Sequence, residues 1–419
     1  MSPATTAITL DAAAIEGIGD HLEEPDWLRE HRASWWSRAE VTPPPTGLEE
    51  EWRRTDLADL PRDAELLLDA PQLEVSGPAS LPDGVILTDL RTAVREHPDL
   101  VRRHLDPADG QASHAHFWAL AQAAWTGGLF CYVPKNVVVD GTLVARTTLP
   151  DSRVTYLPLS LIVAEEGSSI ALLEEVDSPD GGAGWFGGIV EIRAGRGAQL
   201  RYANLQRLGD EVWNIGAQRV RVGQDANVTT LNAEVGSRIT KVGLDVGMTG
   251  PGGTSRVLGI LAAGDDQRID INTVQDLAAD HTTSDLLYLS ALYDRARASF
   301  YGVTNVRKGT RQTSSYQECR NLLLSPNAGA EPIPVLEIEA NDILRCGHGA
   351  TAGAIDPVQL FYAQTRGLDH DAAERMIVRG FFEQVVSRIE DETIRSRVLD
   401  SLASRIGAAD DAAADGVAA

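Results

Sequence analysis

From residue 129 to residue 345 the chain repeats one small device, a turn built on Gly, Asp or Asn followed by a short β-rich run. It recurs at Gly167-Ser168-Ser169-Ile170, Gly197-Ala198-Gln199-Leu200, Asp225-Ala226-Asn227-Val228 and Gly253-Thr254-Ser255-Arg256-Val257. Successive units start 30, 28 and 28 residues apart, the spacing of a solenoid in which each coil returns the chain to a stack of parallel strands. Runs at Ala298-Ser299-Phe300-Tyr301 and Val335-Leu336-Glu337-Ile338-Glu339 continue the pattern less regularly. Two-residue Asn-Gly hairpin signals are scarce, which weighs against an antiparallel sandwich. The expected fold is mainly β: a right-handed parallel β-helix-like solenoid over residues 129–355, flanked by N-terminal and C-terminal α-helical regions.

Residues 1–128 read as mostly helical. Trp27, Leu28, Trp35 and Trp36 fall at helical spacing between Pro25 and Ala39, and Pro43-Pro44-Pro45 interrupts the chain before Glu51-Trp52-Arg53. These tryptophans are expected as core anchors. Further helices are predicted over Leu90 to Leu105 and His116 to Thr126, the second ending at Gly127-Gly128, before a buried strand at Leu129 to Pro134. On the other side of the solenoid, Asp356 suits a helix cap, Pro357 its first position and Gly367 its end. A second helix is predicted from Asp371 to Arg388 with a stripe of Ala372, Met376, Ile377, Phe381, Val385 and Ile389, and a third from Asp391 to Ile406. Residues 356–406 are thus expected as a helical docking module, and residues 407–419, nearly all Ala, Asp and Gly, as a disordered tail.

A hydrophobic content of 43% supports a sizeable core, and 5% aromatic residues argues for one built from aliphatic side chains. The net charge of −24 disfavours nucleic acid and anionic membranes as partners. Three scattered cysteines, no basic and apolar leader and no long apolar run point to a cytoplasmic protein.

Cys346 and His348 carry the chemistry. On an extended strand they share a face, and a thiolate beside an imidazole suits iron or zinc. Such a metal usually takes four ligands, so two from one chain imply a site completed by another subunit or occupied transiently; the alternative is a buried thiol and a hydrogen-bonded histidine. Cys319, in Tyr316-Gln317-Glu318-Cys319-Arg320-Asn321, reads from its residues as a small core hydrophobe. His281 is expected as a hydrogen-bonding residue inside the solenoid. Of the paired carboxylates, Glu174-Glu175 would point to opposite faces, and Glu337 with Glu339 to one solvated edge. No phosphate-binding loop is present, so any ATP dependence must come from a partner.

The stretch Cys346-Gly-His-Gly-Ala-Thr351, with Ile355-Asp356, Gln359-Leu-Phe-Tyr362 and Arg366-Gly367, resembles the signature of the SufD family of iron-sulfur cluster assembly proteins, within the SufB/SufD superfamily. Glu51-Trp52-Arg53, Phe130 to Pro134, Leu159 to Gly167, His281 to Ser284 and Asn321 to Leu324 support the likeness. Gly349, where SufB proteins tend to carry glutamate, and the chain length favour SufD, while Cys319 matches a cysteine implicated in sulfur handling in SufB. The resemblance implies a non-catalytic scaffold that pairs with a SufB paralogue and docks the SufC ATPase. ATP-driven rearrangement would then expose the interface for a nascent cluster. It also implies no tightly bound cofactor, with His348, Cys346 and Cys319 as transient ligands of iron or cluster, and a homodimer as the form taken alone. The alternatives are a SufB-like subunit handling sulfur through Cys319, a β-helix carbohydrate-active enzyme, and an interaction scaffold without a metal role.

Overall fold

Each recurrent turn of the sequence leads into a strand: Ser169–Asp177, Gln199–Arg207, Asn227–Glu234 and Thr254–Ala263. The structure, a computed structural model, describes residues 5–6, 10–105, 114–179 and 181–416. In it these strands lie parallel and in register, Ser169 beside Gln199, Gln199 beside Asn227 and Asn227 beside Thr254. At the corners Gly167, Gly197 and Asp225 have φ of 68°, 66° and 54°. That left-handed conformation is why the sequence places Gly or Asp at each turn. The stack continues through Thr283–Leu292, Arg311–Leu323 and Asp342–Ala354 as a nine-stranded sheet.

Between its members the chain passes through a second, thirteen-stranded sheet, whose later strands, Arg268–Leu277, Arg297–Val306 and Gly329–Ile338, are also parallel. The runs with irregular spacing, at Ala298 and Val335, belong to this sheet. A β-solenoid results, as the spacing predicts. Among the described strands antiparallel pairs occur only where residues 5–133 join the stack.

Stacking aligns equivalent side chains into inward-facing columns, such as Ile170, Leu200 and Val228, all buried in the aliphatic core. The same interior holds charge. Glu174 accepts hydrogen bonds from Ser160 (2.6 Å) and Tyr202 (2.7 Å), and burial raises its carboxyl above the ordinary range. Glu234 accepts one from Asn214 at 3.2 Å, and burial pushes its carboxyl up to about 7. Both line a chamber of about 40 Å³.

Helices cover both outer faces. On the N-terminal side are α1 (Ala12–His21), α2 (Asp26–Val41), α3 (Leu90–Glu96), α4 (Pro98–His104) and α5 (Ala115–Ala124). The single helix predicted over Leu90 to Leu105 is two, because Pro98 cannot donate within a helix and instead starts α4. Trp118, Trp125 and Trp35 pack in one cluster with Leu161, Val163 and Trp213 of the thirteen-stranded sheet. The segment around Trp52 crosses that sheet as a strap. Trp52 stacks on Phe117 (ring centroids 5.3 Å apart), and Thr55 donates to Asp270 at 2.7 Å. The fully buried Lys241 pairs with Asp270 at 2.7 Å and donates to the Glu51 carbonyl and Asn272. Arg54 reaches Glu331 in the last strand of the sheet, 3.0 Å away.

At the C-terminus α6 (Pro357–Thr365) starts as predicted, with the Asp356 carboxylate accepting from the Val358 N–H at 2.9 Å. α7 (His370–Val386) and α8 (Glu392–Gly416) follow. Where a disordered tail was expected from residue 407, α8 continues to Gly416: five alanines follow Gly407, and alanine is the strongest helix former, so the single glycine does not end the helix. The predicted stripe on α7 is rotated by one residue. Val378, Phe382, Val385 and Val386 are buried and Met376 is 51% exposed, since two adjacent apolar stripes were available and only packing chose between them. With Ile394, Val398 and Leu402 of α8 these side chains cover Leu205, Leu231, Leu258 and Leu287 of the nine-stranded sheet. Each such burial contributes about 1.5–3 kcal/mol, so α7 and α8 are held on the outer face of the solenoid, whereas α6 keeps an exposed apolar face.

Glu234 makes stability depend on pH with a definite sign. Its folded-state value of about 7 exceeds the ordinary 4.5, so between those two values the folded chain retains a proton that the unfolded chain has lost. Stability therefore falls as pH rises through that window. Glu234→Gln should stabilise the protein by roughly 3 kcal/mol at pH 8 and by almost nothing near pH 4, measured by urea denaturation. A difference that does not change across the window would refute a proton held at Glu234.

Candidate functional site

The solenoid ends on the strand Asp342–Ala354, which pairs with Arg311–Leu323 along one edge and with no described strand along the other. In the inner neighbour, Thr313, Ser315, Gln317, Cys319 and Asn321 alternate as buried, inward-facing positions. Register sets Cys346 beside Ser315, His348 beside Gln317 and Ala350 beside Cys319. Cys346 and His348 therefore continue two inward-facing columns, those of Ser255, Ser284 and Ser315 and of Val257, Leu286 and Gln317. Nothing among the described residues lies above them, which leaves Cys346 half-buried and His348 exposed.

Gly347 and Gly349 alternate with these two side chains on the face that lies against Tyr316. The Tyr316 ring occupies the opposite face of the strand, with the Arg345 guanidinium 4.2 Å from its centroid. A β-carbon at Gly349 would sit 3.2 Å from the Tyr316 hydroxyl.

The three sequence-predicted residues are neighbours of unequal character. Cys319 lies one strand in and two positions further along than His348, a diagonal of about 7–8 Å between α-carbons. It is 2% exposed, and burial pushes its thiol up to about 12. Asn321 Nδ2 donates to its sulfur at 3.6 Å and to the Thr351 carbonyl at 2.9 Å. Such a sulfur is a thiol at neutral pH and a poor nucleophile. Burial also raises the Cys346 thiol. Among the described residues no group of three His, Cys, Asp or Glu side chains converges on one point that could hold a metal ion.

Other expectations are redrawn. His281 does not lie inside the solenoid: it occupies a turn with φ of 60°, exposed, its backbone N–H donating to the Arg311 carbonyl at 2.9 Å. A corner that requires the left-handed conformation took the residue out of the core. Glu174 and Glu175 do point to opposite faces, both buried, Glu174 inside and Glu175 outside against Arg207 at 3.2 Å. Glu337 and Glu339 are exposed. Gln317 was missed. It is fully buried under His348, and neither atom of its amide has a partner among the described residues. The signal was available as the period-two run Ser315, Gln317, Cys319, Asn321, polar where a strand's core face is normally apolar.

Comparison with known proteins agrees with this geometry. Residues 147–381 match the family described as "SUF system FeS cluster assembly, SufBD core domain", and residues 67–144 match the "SufBD protein N-terminal region". Similar proteins include the iron-sulfur cluster assembly SufBD family proteins of Staphylococcus saprophyticus and Staphylococcus epidermidis, each 28% identical over 310 residues. One from Staphylococcus aureus is 27% identical over the same length. The alignments cover 74% of this chain and 66% of each relative. With more than half of its residues inside the core-domain match, this chain belongs to the SufBD family of iron-sulfur cluster assembly proteins.

Proposed function

We propose that the chain is the SufD-type scaffold subunit of the Suf assembly complex, neither an ATPase nor a sulfur carrier. It would pair with a SufB-type paralogue through the open end of its solenoid and dock the SufC ATPase through α6. The observation that carries this reading is the placement of Cys346 and His348 on one face of an end strand whose outer edge pairs with no described strand. Iron is held by more than two ligands, so the pair becomes a site when a second surface supplies the rest, and the cluster assembled there is cargo. The backbone edge and the exposed Leu344 beside it offer that surface hydrogen bonds and apolar contact.

The assignment to SufD over SufB rests on two neighbours. A side chain at position 349 would crowd the Tyr316 hydroxyl, 3.2 Å from the β-carbon position, and Cys319 is shielded and protonated. On α6, Val358, Phe361 and Tyr362 are 71%, 67% and 59% exposed, an apolar face suited to a partner.

His348→Ala should leave complex formation with the paralogue and the ATPase intact and lower cluster assembly about 10- to 100-fold, followed by iron and sulfide analysis and the visible absorbance of the reconstituted complex. Assembly at the normal rate would sink the metal role of this strand.

Phe361→Asp should weaken capture of the ATPase at least about 10-fold with unchanged circular dichroism, since a central aromatic anchor often carries 2 kcal/mol or more. Undiminished capture would move the docking surface elsewhere.

The thiols separate the SufB-like alternative. Cys131 and Cys319 are both buried and held at about 12, so Cys346 should be the one thiol titrated by a disulfide reagent in the native protein, with all three reacting in guanidinium chloride. Rapid native labelling of Cys319 would favour direct sulfur handling by this chain.

A further inference from the structure

Gly127-Gly128, the pair between α5 and the strand Leu129–Val133, borders the largest of the described cavities. That cavity, about 370 Å³, opens between this crossing, the start of α3, residues 70–73, and the strands Val138–Thr148 and Arg153–Tyr156. It falls within the size range of small-molecule sites, about 300–1,000 Å³, and straddles the boundary between the two matched family regions.

Donors predominate among its charged groups, two guanidinium groups to one carboxylate. Arg91 forms no hydrogen bond or ion pair with any described residue, and Arg95 donates only to the Thr92 hydroxyl, at 2.9 Å. Asp89 also lines the cavity, but its two oxygens are taken by the Thr92 N–H (3.0 Å) and hydroxyl (2.9 Å), so one carboxylate faces two guanidinium groups. Tyr156, 2% exposed, has no hydrogen-bond partner among the described residues. A buried phenol normally finds one.

Its hydroxyl lies next to Gly127, where a β-carbon would come within 2.8 Å of it. The N–H groups of Gly127 and Gly128 likewise have no acceptor among the described residues. At Gly128 the φ of 136° admits glycine alone, and a β-carbon there would strike the Leu159 carbonyl at 1.9 Å. Two guanidinium groups, two amides without described acceptors and the Tyr156 hydroxyl around one polar space are the donor set of an oxyanion receptor. The space exceeds what a bare oxyanion fills, which leaves room for an organic body.

We propose that this cavity binds a small molecule bearing a phosphate or carboxylate group, held by Arg91, Arg95, the Gly127 and Gly128 amides and the Tyr156 hydroxyl. Such a ligand would tie the N-terminal helices to the first coils of the solenoid, at the opposite end from His348. The site is independent of the scaffold role proposed above.

The test uses the full chain near physiological ionic strength, with pyrophosphate and succinate as separate probes. Phenylglyoxal modification of arginines is read by mass spectrometry, and binding by calorimetry. One probe should slow modification of Arg91 and Arg95 at least about 10-fold, while the exposed Arg256 on the solenoid reacts unchanged. The protecting probe identifies the ligand's group as phosphate or carboxylate.

Arg91→Gln should then weaken binding about 10-fold or more, and Tyr156→Phe should weaken it without altering the far-ultraviolet circular dichroism. Protection by neither probe at about 10 mM, equal protection of Arg256, or unchanged binding by Arg91→Gln would each overturn the proposal.

Discussion

A parallel strand satisfies its backbone only when it has a neighbour on each edge, and between the two ends of this solenoid the neighbour is the equivalent strand of the next coil. Register then places like position over like position. Ile170, Leu200 and Val228 extend the core, and Ser255, Ser284 and Ser315 lead to Cys346. The geometry of the candidate site is inherited from coils far from it, because moving a strand by one residue would turn Cys346 and His348 to the outer face.

The two flanking regions solve different problems for this stack. On the thirteen-stranded sheet the strap around Trp52 closes over Lys241, whose burial is answered by Asp270, Asn272 and the Glu51 carbonyl together. A buried ammonium left with fewer partners would be costly. On the nine-stranded sheet α7 and α8 supply mainly apolar cover, with polar contacts beside it: Arg207 pairs with Glu175 and donates to Ser401 of α8, and Arg320 donates to Gln384 of α7.

Much of this was legible in the residues. The coil spacing and scarce hairpin turns led to the solenoid, and Asp356 with Pro357 led to the start of α6, since both are local signals with one structural solution. The pairing of Cys346 and His348 on one face followed from period two. What failed depended on distant packing. The rotation of the α7 stripe and the exposure of His281 were decided by which surfaces met. Gln317 was passed over because glutamine is an ordinary surface residue until register places it beneath His348. The donor-lined cavity joins residues 70 to 156 from several elements, and no window of sequence contains it.

The strand Asp342–Ala354 has one neighbour where every inner coil has two. In a linear array each coil is held chiefly by its nearest neighbours, so local opening is cheapest at an uncovered end and grows costlier toward the middle. Backbone amide exchange should accordingly be graded along the solenoid, fastest around His348. A surface that adds a strand there does more than complete a ligand set: it supplies the missing neighbour, and the free energy of association becomes part of the folding free energy of the last coil.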